Sequence, residues 1–135
     1  MPITLSDAAL ALLAKQVHAH VVTLNPDGSP HVTLVWVEAR DGTVSFNTAR
    51  GRKKTRNLER DPRIVVSVQD TDHPRQYAVF AGTARLIDEG AVEQIDGLAK
   101  KYLGRDTYPA HRPDEPRVRV DVDVTRISGQ GPWVG

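Results

Sequence analysis

The strongest chemical signal in the sequence is a concentration of basic residues in the segment 50–60. The segment holds six Lys and Arg residues against one Glu, although the whole chain of 135 residues carries a formal net charge of only +1. The rest of the chain is therefore net acidic. Grouped cations of this kind bind phosphate groups through their charge and their N–H donors. The basic residues of the segment are Arg50, Arg52, Lys53, Lys54, Arg56 and Arg60.

The surrounding sequence predicts that these cations begin a short helix. A predicted strand leads into the segment, and Asp61-Pro62 ends it, because a residue before proline disfavours helical geometry. The N-terminus of a helix attracts anions, so Arg52, Lys53 and Lys54 in a first turn are unfavourably placed unless a negative group lies beside them. A bound phosphate would remove this conflict. A solvated basic helix face is the alternative interpretation.

Nucleic acid is a second candidate ligand for the basic segment. Proteins that follow a single strand combine a basic groove with aromatic side chains on which bases stack. Here the basic residues occupy one short helix, and no aromatic residue lies beside them in the sequence. We therefore predict a small phosphate compound as the ligand and no nucleic acid partner. The affinity for a nucleic acid would instead fall steeply as the salt concentration rises.

The elements that must position these residues are predicted to be mainly strands, with helices at the periphery. Runs of β-branched or alternating residues bounded by turn signals predict six strands, and apolar residues at helical spacing predict helices. Closure into a barrel removes exposed strand edges, so we predict a six-stranded antiparallel β-barrel. We expect a bulge or bend at Gly82 and a Gly/Pro-rich tail from Ser128. The predicted strands are 18–24, 31–38, 43–48, 63–69, 77–87 and 117–124. One predicted helix ends near residue 16, and two others span 50–60 and 89–104.

Length and composition restrict the class of protein. The length fits one domain of ordinary size, so we predict a single domain over 1–135. Cysteine is absent, which excludes disulfides, thiolate metal sites and cysteine nucleophiles. His18 and His20 share one strand face without a third ligand at a recognisable spacing, so we predict no metal site. The apolar run 8–14 is far too short to span a membrane and has no basic leader, so we expect a cytoplasmic protein with no membrane partner.

Three segments, 26–32, 47–63 and 77–84, carry a resemblance to a known family. Their most specific part is the block K-T-R-N-L-E-R-D-P-R at 54–63. Together they resemble the pyridoxamine 5′-phosphate oxidase-like split β-barrel superfamily, and they are most similar to its branch that binds the deazaflavin coenzyme F-420 in place of FMN. The resemblance covers nearly the whole chain in order and in length.

The resemblance implies a homodimer of split barrels with two cofactor sites at the interface. The cofactor phosphate would meet Arg52 and Lys54, and the flavin-like ring would lie along the second predicted strand near Asn47. A loop and strand start would reach each site from the partner chain. The cofactor-binding residues that the resemblance implies are His31, Val32, Thr33, Leu34, Val35, Asn47, Arg52, Lys53, Lys54, Thr55, Arg56, Asn57, Arg75, Gln76, Tyr77 and Ala78.

The activity that the resemblance implies is that of an oxidoreductase in which reduced coenzyme F-420 delivers a hydride to a small conjugated or unsaturated organic molecule. The cofactor supplies the redox chemistry in such enzymes, so no catalytic residue follows from the sequence, and water or Tyr77 is the candidate proton donor. The alternatives are an FMN-dependent oxidase or reductase of the same fold and a non-catalytic flavin- or deazaflavin-binding protein. We do not expect oxidation of pyridoxamine phosphate itself, because this chain stops soon after Trp133, where true oxidases continue with substrate-binding residues.

Overall fold

Six strands and three helices follow one another along residues 2–134, the part of the chain that the computed structural model describes. The strands close into an antiparallel barrel in the order β1-β2-β3-β6-β5-β4, which confirms the predicted fold class. The elements are α1 (Asp7–Ala14), β1 (His18–Leu24), β2 (Pro30–Arg40), β3 (Thr43–Ala49), α2 (Lys53–Arg60), β4 (Arg63–Gln69), β5 (Tyr77–Ile87), α3 (Ala91–Leu103) and β6 (Arg117–Gln130).

Alternate residues of each strand fill the barrel interior. Phe46 of β3 lies opposite Val37 of β2 and Val120 of β6, and all three side chains are fully buried. Directly paired residues share one face of a sheet, so these side chains point inward together and their chain neighbours point outward. The outward residues of β2, β3 and β6 are therefore free to form a site that is separate from the core.

Helix α3 covers the outward face of β3 and β6 through a buried polar network. Gln94 Nε2 donates to Ser45 Oγ at 2.7 Å and to Glu38 Oε2 at 3.0 Å. Ser45 Oγ in turn donates to Asp121 Oδ1 at 2.7 Å. Every donor in this chain of hydrogen bonds has a partner, so the network holds α3 at a defined position against the barrel.

The bulge predicted at Gly82 is confirmed, and it changes the length of β6. The pairing of β5 with β6 shifts register between Ala81 and Gly82, and it then continues until Tyr77 pairs with Gln130. The Gly/Pro-rich tail predicted from Ser128 therefore begins only after Gln130. Strict alternation of polar and apolar residues ends at Val124, but the neighbouring strand continues beyond the bulge and supplies hydrogen-bonding partners that no local pattern reveals.

The helices also differ from the prediction in where they begin or end. The basic helix α2 begins at Lys53 rather than at residue 50, because Gly51 adopts a φ of 89° that belongs to a turn. Helix α1 ends at Ala14, and Ser6 caps its N-terminus by accepting a hydrogen bond from the backbone N–H of Ala9 at 3.2 Å. No helix within residues 2–134 is long and apolar enough to cross a membrane.

Candidate functional site

A cavity of about 210 Å³ lies on the outer face of the barrel, where the N-terminus of α2 meets β2, β3 and β6. Trp36 and Leu34 of β2 face outward into this region, opposite His18 and His20 of β1. Helix α3 also lines this cavity. The cavity therefore lies between the barrel and its surrounding helices and is distinct from the barrel interior.

One wall of the cavity is apolar and aromatic. Ile95 and Leu98 of α3 face Trp36, whose ring stacks on Tyr102 with centroids 5.2 Å apart and planes within 7° of parallel. Tyr108 meets the Trp36 ring edge-on at 6.1 Å. Such a surface suits a planar, conjugated group.

These aromatic residues correct the expectation that no aromatic side chain accompanies the basic segment. They come from β2, α3 and the loop 105–116, all distant from α2 in sequence, and only the fold brings them to the cations. The combination forms a concave site of limited volume. Its shape suits a small ligand better than a nucleic acid strand.

The opposite wall is cationic and is built on the N-terminus of α2. No side chain caps this helix, its first turn contains no acidic residue, and Lys53 and Lys54 occupy that turn. The unfavourable placement predicted from the sequence is therefore present in the structure. Arg52 and Lys54 line the cavity together with Arg117, the first residue of β6. Three cations from two distant parts of the chain thus face one small space.

The ammonium group of Lys54 lies in an unfavourable electrostatic environment. Its removal from water lowers the pKa of its ammonium group, and the nearby positive charges of Arg52 and Arg117 lower it further. No carboxylate of the described residues forms an ion pair with Lys54 or Arg117, and burial lowers the pKa of Arg117 as well. A bound anion would relieve both the desolvation and the mutual repulsion.

The loop 105–116 reaches over the cationic wall and pairs with it. Glu115 Oε1 lies 3.0 Å from Arg52 Nε, and this contact lowers the pKa of the Glu115 carboxyl. Asp96 of α3 holds the same loop by accepting a hydrogen bond from the backbone N–H of Tyr108 at 2.8 Å. His111 Nε2 also lies 2.8 Å from the Asp96 carboxylate. The loop is therefore anchored both to α3 and to the first residue before α2.

Five of the residues predicted to bind a cofactor line this cavity. They come from three separate elements and the turn before α2, and the fold brings them together around one cavity. The five residues are Leu34, Val35, Asn47, Arg52 and Lys54.

The other predicted residues of α2 lie elsewhere on the helix. Thr55 is fully buried, and its Oγ1 donates to the carbonyl of Ala49 at 2.8 Å. Asn57 is also buried, and its Nδ2 donates to Thr23 Oγ1 at 3.1 Å. These two side chains fix α2 against β3 and β1. Lys53 and Arg56 are exposed on α2 and do not line the cavity.

The residues predicted along β2 alternate between two sides of the strand. His31 and Thr33 lie opposite Thr23 and Val21, which face the barrel interior, whereas Val32 faces outward and is 53% exposed. Within residues 2–134, Thr33 Oγ1 is the one buried side-chain polar atom without a hydrogen-bond partner. A single ring therefore cannot contact all five consecutive side chains on β2.

The segment 75–78 lies away from the cavity in its own chain. Gln76 borders a second cavity of about 520 Å³, beside α1, and the carbonyl of Tyr77 accepts a hydrogen bond from Trp133 Nε1 at 2.8 Å. Arg75 and Tyr77 are exposed and Ala78 is buried. Trp133 is itself buried and acts as a packing anchor for the start of β5.

Several residues of the site were not identified from the sequence. Arg117 and Tyr108 are the most important, since one adds a third cation and the other an aromatic wall. Residue 117 comes next to α2 only because β6 pairs with β3, which places Arg117 opposite Ala49. The strict alternation over 117–124 indicates which side chains of β6 share a face, but it does not indicate which strand lies beside them.

Metal ligation finds no support among the described residues. His18 and His20 point outward from β1, and residues 2–134 contain no group of three or more His, Asp or Glu side chains that could hold a metal ion.

Comparison with known proteins places this architecture among related chains. A model of the pyridoxamine 5′-phosphate oxidase family matches residues 5–131. An F420H(2)-dependent biliverdin reductase of Mycobacterium tuberculosis (strain CDC 1551 / Oshkosh) is 31% identical over 127 residues, which are 93% of this chain and 88% of that protein. A solved structure described as an F420 reductase has a TM-score of 0.76 at 27% identity, covering 89% of this chain and 95% of the other.

The fold recurs in a conserved hypothetical protein from Mycobacterium tuberculosis. Its crystal structure has a TM-score of 0.73 and 24% sequence identity, and the match covers 95% of this chain and 86% of that one. The similarity thus extends over nearly the full length of each chain compared.

Proposed function

The chain belongs to the pyridoxamine 5′-phosphate oxidase family, and we propose that it is an oxidoreductase that uses the deazaflavin coenzyme F-420. A relative named as an F420H(2)-dependent reductase supports this choice, as does the similarity to a solved F420 reductase. The substrate would be a small conjugated or unsaturated organic molecule. FMN is the alternative cofactor, and membership of the pyridoxamine 5′-phosphate oxidase family supports it.

The observation that carries the proposal is the uncompensated charge of Lys54. This lysine is half-buried between Arg52 and Arg117 with no carboxylate partner, and a phosphate placed among the three would supply the missing negative charge. Arg52 and Lys54 would hold the phosphate, and the uncapped N-terminus of α2 would favour it further. The donor set of the cavity therefore fits an anionic cofactor.

The other half of the cavity fits the ring of such a cofactor. Leu34, Trp36 and Ile95 form an apolar surface next to the cations, as a molecule with a flat ring and a charged tail requires. When bound, the reduced deazaflavin ring supplies a hydride from its C5 position. The side chains of this wall, with Tyr108, would orient the ring and exclude water from it.

We further propose that a second copy of the chain completes the site. Pockets that enclose a drug-sized ligand usually measure about 300–1,000 Å³, whereas this cavity measures about 210 Å³. Val32 and Leu34, on the outward face of β2, expose more than half of their surface beside it. A homodimer would cover these side chains and would bring the segment 75–78 of one chain to the cavity of the other.

Removal of the two proposed phosphate ligands tests the assignment. Arg52→Ala combined with Lys54→Ala should weaken binding of coenzyme F-420 by roughly 100-fold or more, because each charge-assisted hydrogen bond contributes about 1.5–3 kcal/mol. Titration followed by deazaflavin fluorescence measures the affinity. The matched control is Lys100→Ala with Arg126→Ala, which removes two exposed cations outside the cavity. Equal affinity of the double variant and the wild type would contradict the phosphate assignment.

Two parallel measurements separate the alternatives. Titration with FMN under the same conditions identifies the cofactor, and tighter binding of FMN than of F-420 would favour the flavin alternative. Turnover of conjugated acceptors with the reduced cofactor distinguishes an enzyme from a binding protein. Tight binding without turnover of any acceptor would favour the non-catalytic alternative.

A further inference from the structure

We infer that Arg117 is a third ligand of the cofactor's anionic group and that Asn47 is the positioning residue that aims it. The inference extends the proposed function, since it concerns the same cavity, and it assigns a role to a residue at the far end of the sequence from α2. Both residues line the cavity with Arg52 and Lys54.

The side chain of Arg117 is held at one end and open at the other. Its Nε donates to Asn47 Oδ1 at 2.8 Å, and its Cζ lies 5.3 Å from the centre of the Tyr108 ring. Its two terminal nitrogens form no hydrogen bond with any of residues 2–134. A guanidinium group has five N–H donors in a planar fork, and the four that remain match two oxygens of a phosphate.

Asn47 has no donor left to offer a ligand. Its Nδ2 donates to the carbonyl of Ala91 at 2.7 Å and to Gln94 Oε1 at 3.0 Å, which uses both hydrogens. Its Oδ1 accepts from Arg117. Turning the amide over would place its NH₂ against the N–H of Arg117, so the network allows one orientation. Asn47 therefore acts on a ligand through Arg117.

The charges around Arg117 favour an anion at the centre of the cavity. Lys54 and Arg117 line the same cavity and are both half-buried, and the positive charge of Arg117 lowers the pKa of Lys54. Glu115 is the carboxylate that acts on Arg117, and it is paired with Arg52. An anion bound among the three cations would offset the positive charge of all of them, whereas Glu115 forms an ion pair with only one of the three, Arg52.

The test compares ligands with and without the phosphate. Arg117→Gln should weaken binding of coenzyme F-420 by roughly 10-fold or more, as expected for the loss of one charge-assisted contact. Binding of the phosphate-free deazaflavin nucleoside should not change, because it carries only the ring and the ribityl chain. Arg126→Gln is the matched control, since Arg126 is exposed on the same strand away from the cavity.

A second set of variants tests the positioning role. Asn47→Ala should weaken F-420 binding in the wild type but have no further effect in Arg117→Gln, because its influence passes through Arg117. Arg117→Lys keeps the charge and loses the N–H that Asn47 holds, so its affinity should lie between those of the wild type and Arg117→Gln. If Asn47→Ala does not fold, Arg117→Lys makes the same comparison. Additive losses in the double variant, or full affinity in Arg117→Lys, would overturn the positioning role.

The outcomes separate this inference from the proposed function. If the wild type binds F-420 tightly and Arg117→Gln binds it equally well, the third ligand is disproved while the cofactor assignment stands. An equal loss of affinity for the phosphate-free nucleoside would also overturn the inference, since it would show a general disruption of the cavity. If the wild type binds neither F-420 nor FMN, the proposed function fails and the inference fails with it.

Discussion

Lys54 is a residue whose charge is unfavourable for the folded chain and which we propose as a ligand of an anion. Its pKa is lowered in the folded protein by burial and by two arginines, whereas the unfolded chain has the ordinary value. The unfolded state therefore binds this proton more tightly, and the charged lysine destabilises the fold at neutral pH. That cost disappears as the pH rises through the lowered pKa towards 10.5.

Replacement of Lys54 should consequently make the empty protein more stable. Lys54→Met removes the buried charge and keeps a side chain of similar length, and a gain on the order of 1 kcal/mol would raise Tm by about 4 °C in a domain of this size. Thermal unfolding followed by circular dichroism at pH 7 measures the change. The gain should shrink as the pH approaches 10.5, where the wild-type lysine also loses its charge.

The control for this prediction is Lys100→Met, which removes an exposed lysine of α3. It should leave Tm almost unchanged, because surface substitutions of this kind have small effects. A lower Tm for Lys54→Met than for the wild type would show that the ammonium group has a stabilising partner in the free protein.

Among the elements, the pairing of β5 with β6 depends on the absence of a side chain at Gly82. A Cβ atom at Gly82 would lie 2.0 Å from the carbonyl oxygen of Asp123 and 2.8 Å from its carbonyl carbon. Both are backbone atoms of the paired strand and cannot move away cheaply. The bulge that lets β6 continue to Gln130 therefore requires the absence of a side chain at this position.

Gly82→Ala should destabilise the protein by at least about 3 kcal/mol, because the two strands must separate locally to admit the methyl group. Denaturant unfolding measures the loss. Gly97→Ala is the matched control: Gly97 lies on the exposed face of α3 with no atom within 4 Å of the added Cβ, so it should be neutral or slightly stabilising. Similar stability of the two variants would show that the bulge adjusts freely.

The sequence was sufficient to predict most elements but not the pairing that builds the site. The β-branched runs of β4 and β5 have the bounds predicted from local pattern, since periodicity and turn residues are local properties. The continuation of β6 to Gln130 depends on a bulge in another strand and has no local signal. The cationic residues at α2 were evident from composition, whereas Arg117 reaches them only through the β3–β6 pairing.

In the whole folded molecule, some cations of the basic segment form ion pairs and others face the cavity. Arg50 pairs with Glu59 at 2.8 Å and with Asp88 at 3.0 Å, so acids distant in sequence neutralise part of the segment. Lys54 and Arg117 remain without such pairs and face the cavity. The near-zero net charge of the chain thus conceals a local positive site that becomes visible only after folding.

The proposal that two copies share each site has a quantitative consequence. One variant would carry Arg52→Ala and Lys54→Ala, and the other Gln76→Ala and Tyr77→Ala. Neither variant should bind F-420 by itself. When the two are unfolded together and refolded as an equal mixture, half of the dimers should contain one chain of each variant, and each such dimer has one wild-type site. Roughly one quarter of all sites should therefore be intact. Binding stoichiometry measures the recovery.

Sedimentation of the wild type should give twice the 14.9 kDa mass of one chain. A mixture that regains no sites, although both variants are dimeric, would show that the segment 75–78 does not reach the partner's cavity. A monomer that binds F-420 at full affinity would contradict the shared site altogether.

The stacked position of Trp36 gives the protein an optical property of its own. The chain has two tryptophans, of which Trp133 is anchored to the start of β5 and Trp36 forms part of the cavity wall beside Tyr102 and Tyr108. A deazaflavin or flavin ring absorbs in the range where indole emits. A ring against Trp36 would therefore accept its excitation energy, and the fading of ultraviolet emission would count occupied sites without any attached label.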